Sequence, residues 1–126
     1  MANELTISTS IQYDKNNHQL SFTPDTLNVT VAGAKASGGV FAIGASVHEA
    51  LSLNEVSAAD QGWAWFRNIG TDSATHINVG VEVSSNFVPV FSLKGGEFAI
   101  MRLENQALFA KSSSGTLNLQ YNILEA

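Results

Sequence analysis

Apolar and polar residues alternate with a period of two over most of this chain, and short runs rich in Gly, Asn, Asp and Ser interrupt the alternation. Period two places successive side chains on opposite faces of an extended strand, so each such run predicts a strand with one buried face. Gly62–Leu103 shows the pattern most clearly. Gly62–Asn68 predicts a strand that carries two tryptophans, and Ile69–Ser73 predicts a turn. Thr75–Val83 predicts a strand with Ile77, Val79, Val81 and Val83 on one face and His76, Asn78, Gly80 and Glu82 on the other. Phe87–Leu93 predicts a third strand, Lys94-Gly95-Gly96 a tight turn and Glu97–Leu103 a fourth strand. Strands in succession with Gly-containing turns predict an antiparallel meander.

The flanking regions extend the pattern. Leu5, Ile7, Thr9, Ile11 and Tyr13 alternate with polar residues and predict a half-buried first strand. Asp14–His18 predicts a polar turn, and Leu20 and Phe22 a short return strand, so together they form a hairpin. Leu27, Val29 and Val31 make a third alternating run. Ala32–Gly39 is small and glycine-rich; it is a candidate loop that orders against a partner through Lys35 and Ser37, or else a plain surface loop. Ser46–Leu53 suits a helix by propensity and a strand by alternation, and the strand is preferred, with a turn beginning at Asn54. Ser57–Gln61 predicts one helical turn. Leu108–Lys111 and Leu117–Ile123 close the chain as two strands around Ser112–Gly115. The strong alternation at both chain ends predicts that the first and last strands are well embedded in sheets.

The sum is about nine to eleven short strands at near-regular spacing, which predicts an all-β antiparallel sandwich of jelly-roll type, with a closed barrel as the alternative. A length of 126 residues predicts a single domain over 1–126. Such a chain buries roughly 65% or more of its unfolded surface and needs no disulfide or metal to hold it. It contains no cysteine, which removes thiolate and disulfide chemistry. Charged residues make up 13% of the chain, against roughly 25% in an average protein. Ser, Thr and Asn carry the polarity instead, and neutral polar groups cost less to desolvate than charges, which favours burial against neighbours. The net charge is −5 and the six Lys and Arg are scattered singly, so nucleic-acid binding is not expected. No apolar run reaches the roughly 18 residues of a membrane span, and the first ten residues lack the basic and apolar regions of a signal peptide. Asn28-Val29-Thr30 matches a glycosylation acceptor but reads as strand sequence.

Candidate chemistry is sparse. His18, His48 and His76 each stand alone, and His48-Glu49 would point to opposite faces of a strand, so no metal or cofactor site is expected. No serine lies in a Gly-x-Ser-x-Gly elbow. Glu82, Glu97 and Glu104 are possible members of a carboxylate pair that the sequence does not join. Lys94-Gly95-Gly96 lacks P-loop spacing. The expectation is therefore a protein that is not an enzyme. Trp63, Trp65 and Arg67 share one strand face and Ala64, Phe66 and Asn68 the other. If Phe66 is core, the tryptophans and Arg67 form an outer face suited to a subunit interface or to sugar stacking; the alternative is that the tryptophans are core.

Five stretches taken together carry a resemblance: LSLNEV, GWAWFRNIGTD, INVGVEV, FSLKGGEFAIMRL and LFAKSSSGTLNLQYNILEA. The chain from Leu51 onward resembles small virion proteins of tailed bacteriophages, of the minor capsid, decoration and tail-associated kind. The shared points are an aromatic strand that ends in Arg67-Asn68 with a Thr71-Asp72 turn, the Leu93–Glu97 hairpin, the Phe109–Lys111 strand and the terminal Leu117–Leu124 strand. The resemblance implies a non-enzymatic capsid decoration or stabilising protein. It would be made in the bacterial host cytoplasm and sit on the virion surface. It would bind the major capsid protein as a symmetric homo-oligomer, with a trimer expected. A tail- or fibre-associated carbohydrate-binding adhesion module is the alternative, and a cupin-like enzyme the third reading.

Overall fold

A computed structural model describes residues 4–53 and 56–126. Among these residues there are twelve strands, no α-helix and a single 3-10 turn at Ala58–Asp60, where one helical turn was expected. That turn is capped by Ser57, whose Oγ accepts from Ala59 N. The chain divides into two compact units at Ala32/Gly33.

The first unit is a nested two-stranded ribbon. Strand β1 (Leu5–Ile7) pairs antiparallel with β4 (Leu27–Val29), and β2 (Ile11–Lys15) pairs antiparallel with β3 (His18–Phe22). The turn between β2 and β3 is shorter than the expected Asp14–His18. It is Asn16-Asn17 alone, with φ of +52° and +63°. Two residues in the left-handed region twist in the sense that two paired strands require, and asparagine tolerates that region better than most residues. The predicted first strand is interrupted at 8–10. It is also not embedded: every residue of β2 and β3 is exposed. Direct pairing of Ile11 with Phe22 and of Tyr13 with Leu20, offset from Gln12–Ser21 and Asp14–Gln19, gives the ribbon one apolar and one polar face.

The second unit is an antiparallel sandwich of two four-stranded sheets. Its strands are β5 (Ala36–Ile43), β6 (Glu49–Ala50), β7 (Gln61–Asn68), β8 (His76–Val83), β9 (Asn86–Lys94), β10 (Phe98–Arg102), β11 (Phe109–Ser112) and β12 (Leu117–Glu125). One sheet has the order β10-β7-β12-β5 and the other β6-β11-β8-β9. The pairing is nested: first strand with last, second with next to last, and inward to the β8–β9 hairpin, alternating between the two sheets. This corrects the meander expected for Gly62–Leu103. All four strands are present, but only β8 and β9 follow one another in a sheet, joined by Ser84-Ser85 with φ of +51° and +67°.

The core lies between the sheets. Phe66, Leu119, Tyr121 and Ile123 come from the first sheet and Ile77, Val79, Leu93 and Ala110 from the second, all nearly or wholly inaccessible. The Phe66 and Phe91 rings meet across the layer at 5.4 Å, and Phe41 stacks on Tyr121 at 5.1 Å. Burying each of the larger side chains stabilises the fold by roughly 1.5–3 kcal/mol before entropy. Two expectations change here. Only Ala32–Lys35 of the glycine-rich segment is loop, because Ala36–Gly39 opens β5. A Cβ on Gly38 would run into the Tyr121 carbonyl of β12, so this glycine marks a close approach of two backbones. Of Ser46–Leu53 only Glu49–Ala50 is strand, pairing with β11. Leu51 then turns into the core and Ser52 O accepts from the Tyr121 hydroxyl at 2.8 Å. The turn expected from Asn54 lies outside the described residues.

Asn68 joins the sheets at one end. It is buried, and every polar group it has is used. Its Nδ2 donates to Leu93 O of the facing sheet at 3.0 Å, and its Oδ1 accepts from Gly70 N at 3.0 Å. Its own N donates to Glu97 O and its own O accepts from Gly96 N. Glu97 Oε1 in turn accepts from Lys94 N at 2.7 Å, so the glycine turn is held by its own carboxylate.

Two outcomes follow from these contacts. Asn68→Ala removes the side-chain partner of the buried Leu93 carbonyl and of the half-buried Gly70 N–H and should cost roughly 2–4 kcal/mol in urea denaturation; a loss near zero would show that water replaces the side chain. Burial pushes the Tyr121 phenol above its ordinary value of 10.0. The folded chain therefore holds this proton more tightly than the unfolded chain. The associated stability is complete below about pH 10 and falls as pH rises beyond it. Tyr121→Phe should lower stability at neutral pH by about 1 kcal/mol through the lost hydrogen bond. It should also flatten the alkaline decline, measured as denaturation midpoints against pH; an unchanged decline would assign it to other groups.

Candidate assembly surfaces

Because Phe66 is fully buried, the alternation of β7 places Trp63, Trp65 and Arg67 on the outer face of the first sheet. Register then assembles their neighbours. Arg102, Ile100 and Phe98 of β10 lie directly opposite Trp63, Trp65 and Arg67. On the other side Asn122 and Gln120 of β12 lie opposite Trp65 and Arg67, and Val40 of β5 lies beyond Gln120. Both tryptophans and Ile100 are half-buried, whereas Phe98 is 65% exposed and Val40 52%. The face is aromatic and aliphatic. Its charged strand residues are Arg67 and Arg102, both exposed. Among the described residues the one ion pair is elsewhere, so neither arginine has a carboxylate partner.

The other two predicted contact residues do not join this face. Lys35 is exposed ahead of β5, and its carbonyl accepts from Glu125 N at 2.9 Å. Ser37 is buried, at 3% exposure, and its Oγ accepts from Val56 N at 3.2 Å. It pins the segment before β7 to β5 and has no surface to offer a partner.

The outer face of the second sheet carries the other side-chain cluster. His48 Nε2 lies 2.6 Å from Glu82 Oε2. The imidazole stacks on Phe87 with centroids 5.5 Å apart and meets the edge of Phe109 at 5.5 Å. His48 therefore does not stand alone, and its carboxylate comes from a different strand. The adjacent Glu49 instead accepts from Gly44 N. The three glutamates considered as acid-base partners go to separate tasks: Glu82 holds His48, Glu97 holds its own turn, and the Glu104 carbonyl accepts from the buried Gln61 amide at 3.0 Å. Among the described residues no three His, Asp or Glu side chains converge in a way that could hold a metal ion.

Sequence reasoning placed Trp63, Trp65 and Arg67 together but missed Phe98, Ile100 and Arg102 as their neighbours. The missing information was the β7–β10 pairing, since alternation reports a strand's faces and not its partner. Glu82, Phe87 and Phe109 around His48 were missed for the same reason. No family model, curated protein or solved structure matches the chain.

Proposed function

We propose that this protein is a non-enzymatic structural component of a tailed-phage virion, a capsid decoration or stabilising protein that works by burying surface against its neighbours. The observation that carries the reading is the outer face of the first sheet, where Trp63, Trp65, Phe98 and Ile100 form an aromatic and aliphatic surface flanked by Arg67 and Arg102, which have no carboxylate partner among the described residues. Aromatic residues and arginine are the side chains that contribute most to protein–protein interfaces. Asn122 and Gln120 beside them add hydrogen-bonding groups that desolvate more cheaply than charges. The nested strand order supports reading the sandwich as a jelly roll, an architecture shared by viral capsid domains, lectins and cupins. The phage assignment rests on the turn and strand-end resemblance from Leu51 onward. On this reading the protein is a symmetric homo-oligomer, a trimer, bound to the major capsid protein on the outside of the shell.

One observation favours a second reading. Trp63 and Trp65 stand side by side on a solvent-facing sheet with Arg67 and Asn122 next to them, an arrangement that also suits stacking on a sugar. This would make the protein a tail- or fibre-associated adhesion module.

Quantitative mass spectrometry of purified particles of the encoding phage separates the two. A decoration protein should appear at a copy number near stoichiometric with the shell protein, and its loss should lower the temperature at which filled particles release DNA. A few copies to a few dozen, together with quenching or enhancement of tryptophan emission on a glycan panel, would give the adhesion module. Absence of the polypeptide from particles would end both readings.

A further inference from the structure

We propose that the free edge of β5 pairs antiparallel with β5 of a second copy across a two-fold axis, joining two four-stranded sheets into one of eight strands. The pairing does not depend on the place proposed above on the virion, and it adds a two-fold contact to the proposed trimer. The sandwich has four edge strands, β10 and β5 in one sheet and β6 and β9 in the other. An edge strand presents unpaired N–H and C=O groups, and folds blunt such edges with short strands, charges, prolines or bulges. Three of the four are blunted in this way. β6 has two residues. β10 has five and ends in the exposed Arg102. β9 contains Pro89, and its register against β8 slips at Val79/Gly80, which leaves Val90 unpaired. β5 is different: it has eight residues, Ala36–Ile43, with no charge, no proline and no shift of register against β12.

Hydrogen bonding decides which backbone groups of β5 are left over. Glu125 N donates to Lys35 O, so Lys35 directs its polar groups to the last strand, and in an antiparallel ladder every second residue does the same. Ser37, Gly39, Phe41 and Ile43 therefore bond β12, whereas Ala36, Gly38, Val40 and Ala42 turn their N–H and C=O groups to the free edge. No strand of the chain pairs with that edge, and Ala36, Val40 and Ala42 are exposed. One antiparallel register uses all four residues at once. It sets Ala36 opposite Ala42 and Gly38 opposite Val40 of the second copy, with the exposed Gly39 on the axis. Because one strand supplies both sides, the contact is isologous and closes with two copies. No like charges are opposed across it, which is the arrangement a stable cross-strand pairing needs. The one charge beside the strand is also accommodated. Lys35 falls opposite Ile43 of the second copy, next to Gly44, whose N–H donates to the Glu49 carboxylate at 3.3 Å. Each lysine thus comes beside a carboxylate of the other copy.

The test is light scattering of the isolated protein after size exclusion, at micromolar concentration. The wild-type assembly should hold an even number of chains, because each two-fold contact joins a pair. Val40→Pro removes one N–H from the free edge and no bond to β12. It should weaken the two-fold association roughly 30-fold or more, since the axis repeats the loss in both copies, and so halve the number of chains in the assembly. Val40→Lys places a charge on the same edge and should act in the same direction, which keeps the test open where the proline variant does not fold; a retained cooperative melt identifies folded material in each case. Cross-linking reads the register. The chain has no cysteine, and positions 36 and 42 lie roughly 20 Å apart along one strand, too far to bridge within a chain. Oxidised Ala36→Cys with Ala42→Cys should therefore run as a covalent dimer under denaturing conditions, and Ala36→Cys alone should run as single chains. A wild type with an odd number of chains, a monomer included, would overturn the proposal. So would folded Val40 variants that keep the wild-type mass, or a double-cysteine variant that does not link. Copy number on the particle is read separately, so a positive count there with no two-fold contact here removes only the β5 pairing.

Discussion

The second unit depends on the C-terminal strand lying between β5 and β7. Strand β12 pairs along nearly its whole length with β5 on one side and with β7 on the other. Its inward residues Leu119, Tyr121 and Ile123 are wholly inaccessible. Without it β5 has no sheet partner, and β7 keeps only β10. The same dependence explains the small residues around it. Cβ atoms on Gly38 and Gly62 would each meet backbone atoms of the last strand or of Ala126 beyond it, so both glycines answer to a strand many residues away in sequence. A fold closed by pairing first strand with last has most of its contacts far apart in sequence, which is the class that folds slowly.

Buried polar side chains then fix how the two sheets and their loops meet. Asn68 ties the end of β7 to Leu93 of the facing sheet, and the Tyr121 hydroxyl ties β12 to Ser52. Gln61 Nε2 holds the carbonyls of Glu104 and Gln106 at 3.0 and 2.8 Å. Each contact joins elements that apolar packing alone would leave free to slide, because a hydrophobic layer fixes no register. The cost of losing one is asymmetric: an orphaned buried group destabilises more than its hydrogen bond contributed when made. Gln61 Oε1 is already such a group, buried with no partner among the described residues.

The all-β class, the positions of most strands and the division of each into two faces were legible because they are local properties of the alternation. For β7 the alternation separated Trp63, Trp65 and Arg67 from Ala64, Phe66 and Asn68 but left both inward sides open, and the buried Phe66 settles the whole strand. What was not legible depended on partners. Gly62–Leu103 looked like a meander because its four strands are consecutive, yet β7 and β10 form one sheet with β12 while β8 and β9 join the other. Ala36–Gly39 looked mobile because close approach and flexibility both call for glycine. Ser37 looked like surface because its buried acceptor role requires Val56 nearby. The first strand looked embedded because alternation signals an apolar face whether or not anything covers it. His48 found Glu82, Phe87 and Phe109 through pairings that no periodicity encodes.

Side-chain choice on the outer sheet face is consistent with a surface meant to lose its water. Between two sheets only apolar residues and fully bonded polar ones are tolerated, and the inner faces comply. A face that stays in water has no such restriction and is usually rich in lysine and glutamate. The outer side of β10-β7-β12-β5 instead combines Trp63, Trp65, Ile100 and Phe98 with Asn118, Gln120 and Asn122, and its charges are arginines. Arginine is more weakly hydrated than lysine and keeps a planar group that stacks on aromatic rings. Asparagine and glutamine keep donors and acceptors without the desolvation cost of a carboxylate. The ribbon repeats the theme with Gln12, Gln19 and Ser21 around Asp14 on its polar face, behind Ile11, Tyr13, Leu20 and Phe22. A chain whose charged fraction is about half the usual value has therefore placed its neutral polar groups beside its exposed aromatic ones, where covering them costs least.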